Sequence, residues 1–158
     1  MAVIKPYYGT AGQAITITLN SLANNAFRAS LAIANTQWRD VLVQLIIKTG
    51  ASGGSSGSVL NVYAYGSADG GSHYSDGIGG TDAVVTPTAN PNFVFLGFIA
   101  CPSNATTYTS HPMNVAHAFG GVMPPNWGIV VENKFGGGLD STAGNFSAFY
   151  QGISDQAV

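Results

Sequence analysis

The stretch from Asp40 to Tyr74, DVLVQLIIKTGASGGSSGSVLNVYAYGSADGGSHY, constrains the fold more than any other part of the chain. Short apolar runs, Val41 to Ile47 and Val59 to Tyr65, flank a Gly/Ser loop, and an Asp-Gly-Gly turn closes the second run. Gly and Ser bound both runs too closely for a buried helix, and their β-branched and aromatic side chains fit a pleated, partly buried surface. The apolar residues Val41, Leu42, Val43, Leu45, Ile46 and Ile47 do not alternate with polar ones. That predicts a strand covered on both faces, by core on one side and by another layer or subunit on the other.

Other segments carry strand signals of their own. In AITITL, Ala14 to Leu19, Ile15, Ile17 and Leu19 share one face and Thr16 and Thr18 the other, as in a half-buried strand. Ser21 to Asn35 breaks any helical period at Asn24, Asn25 and Ser30 and reads as an irregular strand or a crossing loop. Trp38, just ahead of the central strand, is placed to cap the core from one end. Ala83 to Thr88, Asn92 to Ala100, His111 to Phe119, Trp127 to Asn133 and Asn145 to Ile153 complete the strands, with Gly97 marking a bulge or a close backbone approach.

About eight strands separated by polar loops predict an all-β fold, an antiparallel β sandwich of jelly-roll type, with an immunoglobulin-like sandwich as the alternative topology. Residues 1–13, with Pro6 and paired tyrosines, read as an extended N-terminal arm of the kind that reaches a neighbour, and 14–158 as a single domain. A chain of 158 residues can bury about two-thirds of its unfolded surface in one core. Eight Phe, seven Tyr and two Trp exclude a disordered chain.

Charge narrows the function classes. Asp, Glu, Lys and Arg make up 8% of the chain, against roughly 25% in ordinary soluble domains. The surface is therefore built from small polar residues and exposed apolar atoms, which suits a subunit packed among neighbours. A formal net charge of -2 without a basic cluster argues against a nucleic-acid partner. No apolar run reaches the roughly twenty residues of a membrane span. The single Cys101 cannot form an intramolecular disulfide, and no secretory pattern opens the chain, so the expectation is synthesis in a reducing cytoplasm.

Catalytic material is thin. There is no G-x-S-x-G elbow, the segment around Cys101 matches no cysteine-protease signature, and the loop Gly50 to Ser58 lacks the Lys-Ser or Lys-Thr ending of a phosphate loop. His111 and His117 would share a strand face and, with Asp140, form a conceivable metal set. Asp69, His73, Asp76 and Asp82 lie in a Gly-rich segment without calcium-loop spacing and read as a solvated hairpin loop. The strand-borne acids Asp40 and Glu132 sit beside Arg39 and Lys134, where ion pairing is the simpler role than glycoside hydrolysis. Asn104 and Asn145 match glycosylation acceptors by accident of sequence. No catalytic, metal or cofactor residue is expected.

The phrases VLNVYAYGSADGG from Val59, TDAVVT from Thr81 and AFGGVMPPNWGIVVEN from Ala118 resemble a family of small virion structural proteins of tailed bacteriophages. The resemblance spans Asp40 to Asp140 and consists of turns and core strands. It implies an assembly role, as a capsid decoration (cement) protein or a tail or neck component, bound to the major capsid protein and to copies of itself. It carries over no site residues. The rival expectation is a carbohydrate- or receptor-binding sandwich in which Tyr7, Tyr8, Tyr74, Tyr108 and Trp127 stack on sugars.

Overall fold

The computed structural model describes residues 3–88 and 91–157; Met1 and Ala2 of the expected arm, Ala89 and Asn90, and Val158 lie outside the described residues. Among the described residues the strands are β1 (Ile4–Tyr8), β2 (Gln13–Ala14), β3 (Phe27–Ala29), β4 (Ile33–Ala34), β5 (Asp40–Lys48), β6 (Val59–Ser67), β7 (Ala83–Val85), β8 (Val94–Ala100), β9 (Thr107–Thr109), β10 (Met113–Asn114), β11 (Asn126–Lys134) and β12 (Ser147–Ala157). One sheet runs β1-β12-β5-β10, with β2 on β12 and β9 on β5; the other runs β7-β3-β11-β6-β8, with β4 on β11. Every pairing is antiparallel.

The pairings are nested along the chain. The first strands, β1 and β2, lie against the last, β12; β3 and β4 lie against β11; β5 lies against β9 and β10; and β6 lies against β8. This wrapping of a long hairpin around two facing sheets is the jelly roll. Inward residues of both sheets form one core, including Val41, Val43, Leu45 and Ile47 from β5, Leu60, Val62 and Ala64 from β6, and Trp127, Ile129 and Val131 from β11. No helix among the described residues is long and apolar enough to cross a membrane.

Within the chain, among the described residues, the strand covered on both faces is β11, while the outer face of β5 has no second layer. In β5 burial alternates strictly: Val41, Val43, Leu45 and Ile47 are sealed in the core while Leu42, Gln44, Ile46 and Lys48 are half-exposed on the outer face. In β11 every residue from Trp127 to Asn133 is buried. The cause is a second apolar cluster outside that sheet, where Ile78 and Phe93 pack on Ala29, Tyr65 and Val130, flanked by Phe27, Tyr63 and Tyr74. Ile78, from the segment after β6 that is otherwise largely exposed as expected, and Phe93, just ahead of β8, supply that cover.

The front of the chain departs from its pattern in two places. Ile15 and Leu19 are buried as the alternation predicts, yet the segment Ile15 to Leu19 belongs to neither ladder. It crosses from one sheet to the other: Ile15 N–H donates to Ala148 O, Thr16 O accepts from Leu31 N–H, and Thr18 N–H donates to Asp82. The arm does not extend freely, because Ile4 to Tyr8 pair in register with Ala157 to Ile153 of the same chain. Gly97 marks a bulge, the register shifting between Val62 and Tyr63 opposite it, and the atoms that crowd it belong to the side chains of Met113 and His111. His111 to Phe119 is not one strand, since β10 ends at Asn114 and a short 3₁₀ turn occupies Ala116–Phe119.

Candidate functional site

The conceivable metal set dissolves in three dimensions. His117 lies on the turn after β10, while Asp140 binds Thr142 N–H and Asn145 Nδ2–H and faces Lys48 at 3.7 Å. Among the described residues no group of three His, Cys, Asp or Glu is placed to hold a metal ion. The Gly-rich segment spends its acids on structure. Asp69 accepts from Ser67 Oγ and approaches His73 Nδ1 at 2.5 Å, and these partners hold its carboxyl below the usual range. Asp76 takes the backbone N–H and side-chain amide of Asn92. Asp82 receives the Arg28 guanidinium at 2.6 Å and the Thr18 hydroxyl at 2.5 Å.

Asp40 and Glu132 are separated by the sandwich. Asp40 Oδ1 accepts from the N–H groups of Val41 and Ala116, and Asp40 Oδ2 from Asn114 Nδ2, so it pins the turn after β10. The expected partner of Asp40, Arg39, bonds Asp155 instead at 3.0 Å. Glu132 does pair with Lys134, at 3.0 Å, and it also accepts from Asn61 Nδ2 and the Tyr63 hydroxyl, each at 2.8 Å. Burial alone would raise the Glu132 carboxyl, but these three donors outweigh it and hold it below its ordinary value. Asn104 and Asn145 spend their side chains on Gly54 N–H and Asp140. Cys101 is wholly buried, and burial pushes its thiol up to about 11.

The candidate stacking aromatics are scattered. Trp127 is 0% exposed and is the largest sealed side chain, set edge-on to Tyr150 with ring centroids 5.4 Å apart. Tyr74 covers Tyr65 at 5.4 Å, and the Tyr108 hydroxyl accepts from Ser103 N–H. Tyr7 and Tyr8 remain open on β1.

The open features converge where β1 and the end of β12 overhang the sandwich. β5 begins opposite Ile153, so residues beyond it on β12 have β1 as their ladder partner. Alternation sorts this ribbon into two faces. The outer face carries Ile4, Pro6 and Tyr8 against Ala157, Asp155 and Ile153, with Ile4 72% and Tyr8 56% exposed. It continues onto the outer side of β5 and β12, where Leu42, Phe149 and Pro112 line a shallow groove.

The inner face carries Tyr7 and Gly9 against Ser154 and Gly152, and here Trp38 fulfils its expected role of capping the core. Its indole lies across Gly9 and Gly152; a Cβ at either position would collide with the ring. Asn35 holds the Trp38 backbone from both sides, accepting from its N–H at 2.9 Å and donating to its carbonyl at 2.8 Å. Trp38, Tyr7 and Tyr150 line a cleft of about 330 Å³ together with Gln13, Gln37 and Ser154. Pattern reading passed over Tyr150 and both glutamines, because their convergence depends on the register of β12 with β1 and β2.

No family model and no curated protein matches the chain. Among solved structures it is similar to one titled "Structure of infectious bursal disease virus Gt strain", at 12% identity and a TM-score of 0.19. That match covers 100% of this chain and 40% of the other, so the chain spans well under half of its length.

Proposed function

We propose that this chain is a non-enzymatic structural protein of a tailed-phage virion, acting as a decoration protein on the outer surface of the capsid. The observation that carries the reading is the exposed outer face of the overhanging ribbon, Ile4, Pro6 and Tyr8 against Ala157, Asp155 and Ile153, which is apolar except for Asp155, whose charge Arg39 offsets at 3.0 Å. Exposed apolar side chains set in a row mark a surface that a partner covers. The low charge of the chain supports the same reading, since it leaves little repulsion between copies or against a shell. The jelly roll is compatible with it and is shared by lectins and cupins, so the fold does not choose between these roles.

In this role the partners are the major capsid protein and further copies of this chain, as a dimer or trimer. A cement protein stabilises a shell by binding the assembled form, adding stability by mass action. The test is the copy number per purified particle, by quantitative mass spectrometry against the major shell protein. Hundreds of copies support a capsid position; a few dozen or fewer move the chain to tail, neck or fibre; none overturns the virion reading. Ile4→Asp with Tyr8→Asp should then weaken attachment to shells without unfolding the domain.

A further inference from the structure

We propose that the cleft between Tyr7, Trp38 and Tyr150 binds a neutral glycan. Sugar rings present flat C–H faces rimmed by hydroxyls, so a site for them needs aromatic surface beside groups that both donate and accept hydrogen bonds. This cleft has both: aromatic rings on Tyr7, Trp38 and Tyr150, side-chain amides on Gln13 and Gln37, and the Ser154 hydroxyl. No carboxylate, ammonium, guanidinium or imidazole lines it, which selects an uncharged ligand over a sialylated or sulfated one.

Two of the rings, Trp38 and Tyr150, are positioned before any ligand arrives. Glycine at both 9 and 152 lets the indole of Trp38 rest on bare backbone, and Asn35 clamps its main chain. Tyr150 is held edge-on by the buried Trp127, and the backbone of Gln13 is paired with that of Tyr150. Preorganised groups of this kind spare a ligand the entropy of ordering them. The groove beside Leu42 pairs Gln44 and Gln151 with one aromatic ring, Phe149, where this cleft gathers three. The one beside Asp40 holds Arg39 and His117 without a Phe, Tyr or Trp ring, and the one beside Phe27 holds Glu132 and Lys134.

The proposal does not depend on where the chain resides in a particle. The test is saturation-transfer NMR on the whole chain with maltotriose, cellotriose and chitotriose as neutral probes and sialyl-lactose as the charged one. Transfer to at least one neutral probe is expected, weakened about tenfold or more in Tyr7→Ala and in Gln37→Ala. Tyr8→Ala, on the opposite face of the same ribbon, should leave it unchanged and serves as the control for ribbon integrity. No transfer to any neutral probe, transfer that survives both cleft substitutions, equal loss in Tyr8→Ala, or a preference for sialyl-lactose overturns the proposal.

Discussion

The hydroxyl of Tyr65, on β6, donates a 2.6 Å hydrogen bond to the backbone carbonyl of Ser30, across β11 from it. The Tyr65 ring crosses over Gly128, its register partner, where a side chain would collide with it. Ser30 is itself tied to β11, since its N–H donates to Ile129 O and its Oγ accepts from Ile129 N–H. One phenol thus links the central pair of a sheet to the irregular segment beyond it.

Tyr65→Phe removes that donor and leaves a buried carbonyl without it. Such a loss costs about 1–3 kcal/mol, to be read as a lower urea midpoint at unchanged m-value. Burial raises the Tyr65 hydroxyl to about 12, although its bond to Ser30 works in the opposite direction. Spectrophotometric titration of the wild type should therefore show phenolate absorbance appearing near pH 12 that is reduced by one tyrosine in Tyr65→Phe.

Gly152→Ala places a methyl against the Trp38 indole. Overpacking of this kind costs about 1–3 kcal/mol, and the ring must tilt away from β12. Thermal denaturation should show the loss, and a change in tryptophan emission should accompany it, because the other indole, Trp127, is sealed in the core.

Acid should weaken the fold through Asp82 and Glu132. Burial acts to raise both carboxyls, but Arg28 and Thr18 around Asp82, and Asn61, Lys134 and Tyr63 around Glu132, lower them overall. A carboxyl whose folded pKa lies below its unfolded value stabilises the fold at neutral pH and loses that contribution as pH falls. The losses should set in as pH drops below the ordinary values of 4.5 for Glu132 and 3.8 for Asp82. Asp82→Asn should be less stable than wild type at pH 7, with the gap closing toward pH 2 in urea melts.

Cys101 sits in the core with its thiol raised to about 11, so at pH 7 it is both neutral and shielded. A thiol-reactive dye should label it negligibly in the folded protein and stoichiometrically in denaturant. Rapid labelling under native conditions would show that the region around β8 opens.

The strand runs and turn signals were enough to read the sandwich. Val41 to Ile47, Val59 to Tyr65 and Trp127 to Asn133 each became a long strand, because local apolar density and bounding turns decide that much. Pattern did not place the outside layer. The continuous apolar run of β5 looked doubly covered, yet within the chain the second layer, Ile78 and Phe93, lies on the other sheet and buries β11. The clean alternation of Ile15 to Leu19 ended as a crossing segment, because periodicity reports which side chains are buried and not which ladder the backbone joins.

The sequence by itself determined the class of fold, the position of the long strands and the scarcity of charge, since these follow from composition and period. Tertiary structure alone decided that β1 returns to β12, that Trp38 lies across Gly9 and Gly152, and that Tyr7, Tyr150, Gln13 and Gln37 meet in one cleft. Those residues come from both ends of the chain and from the segment before β5. Their convergence is set by strand register, which no local pattern encodes.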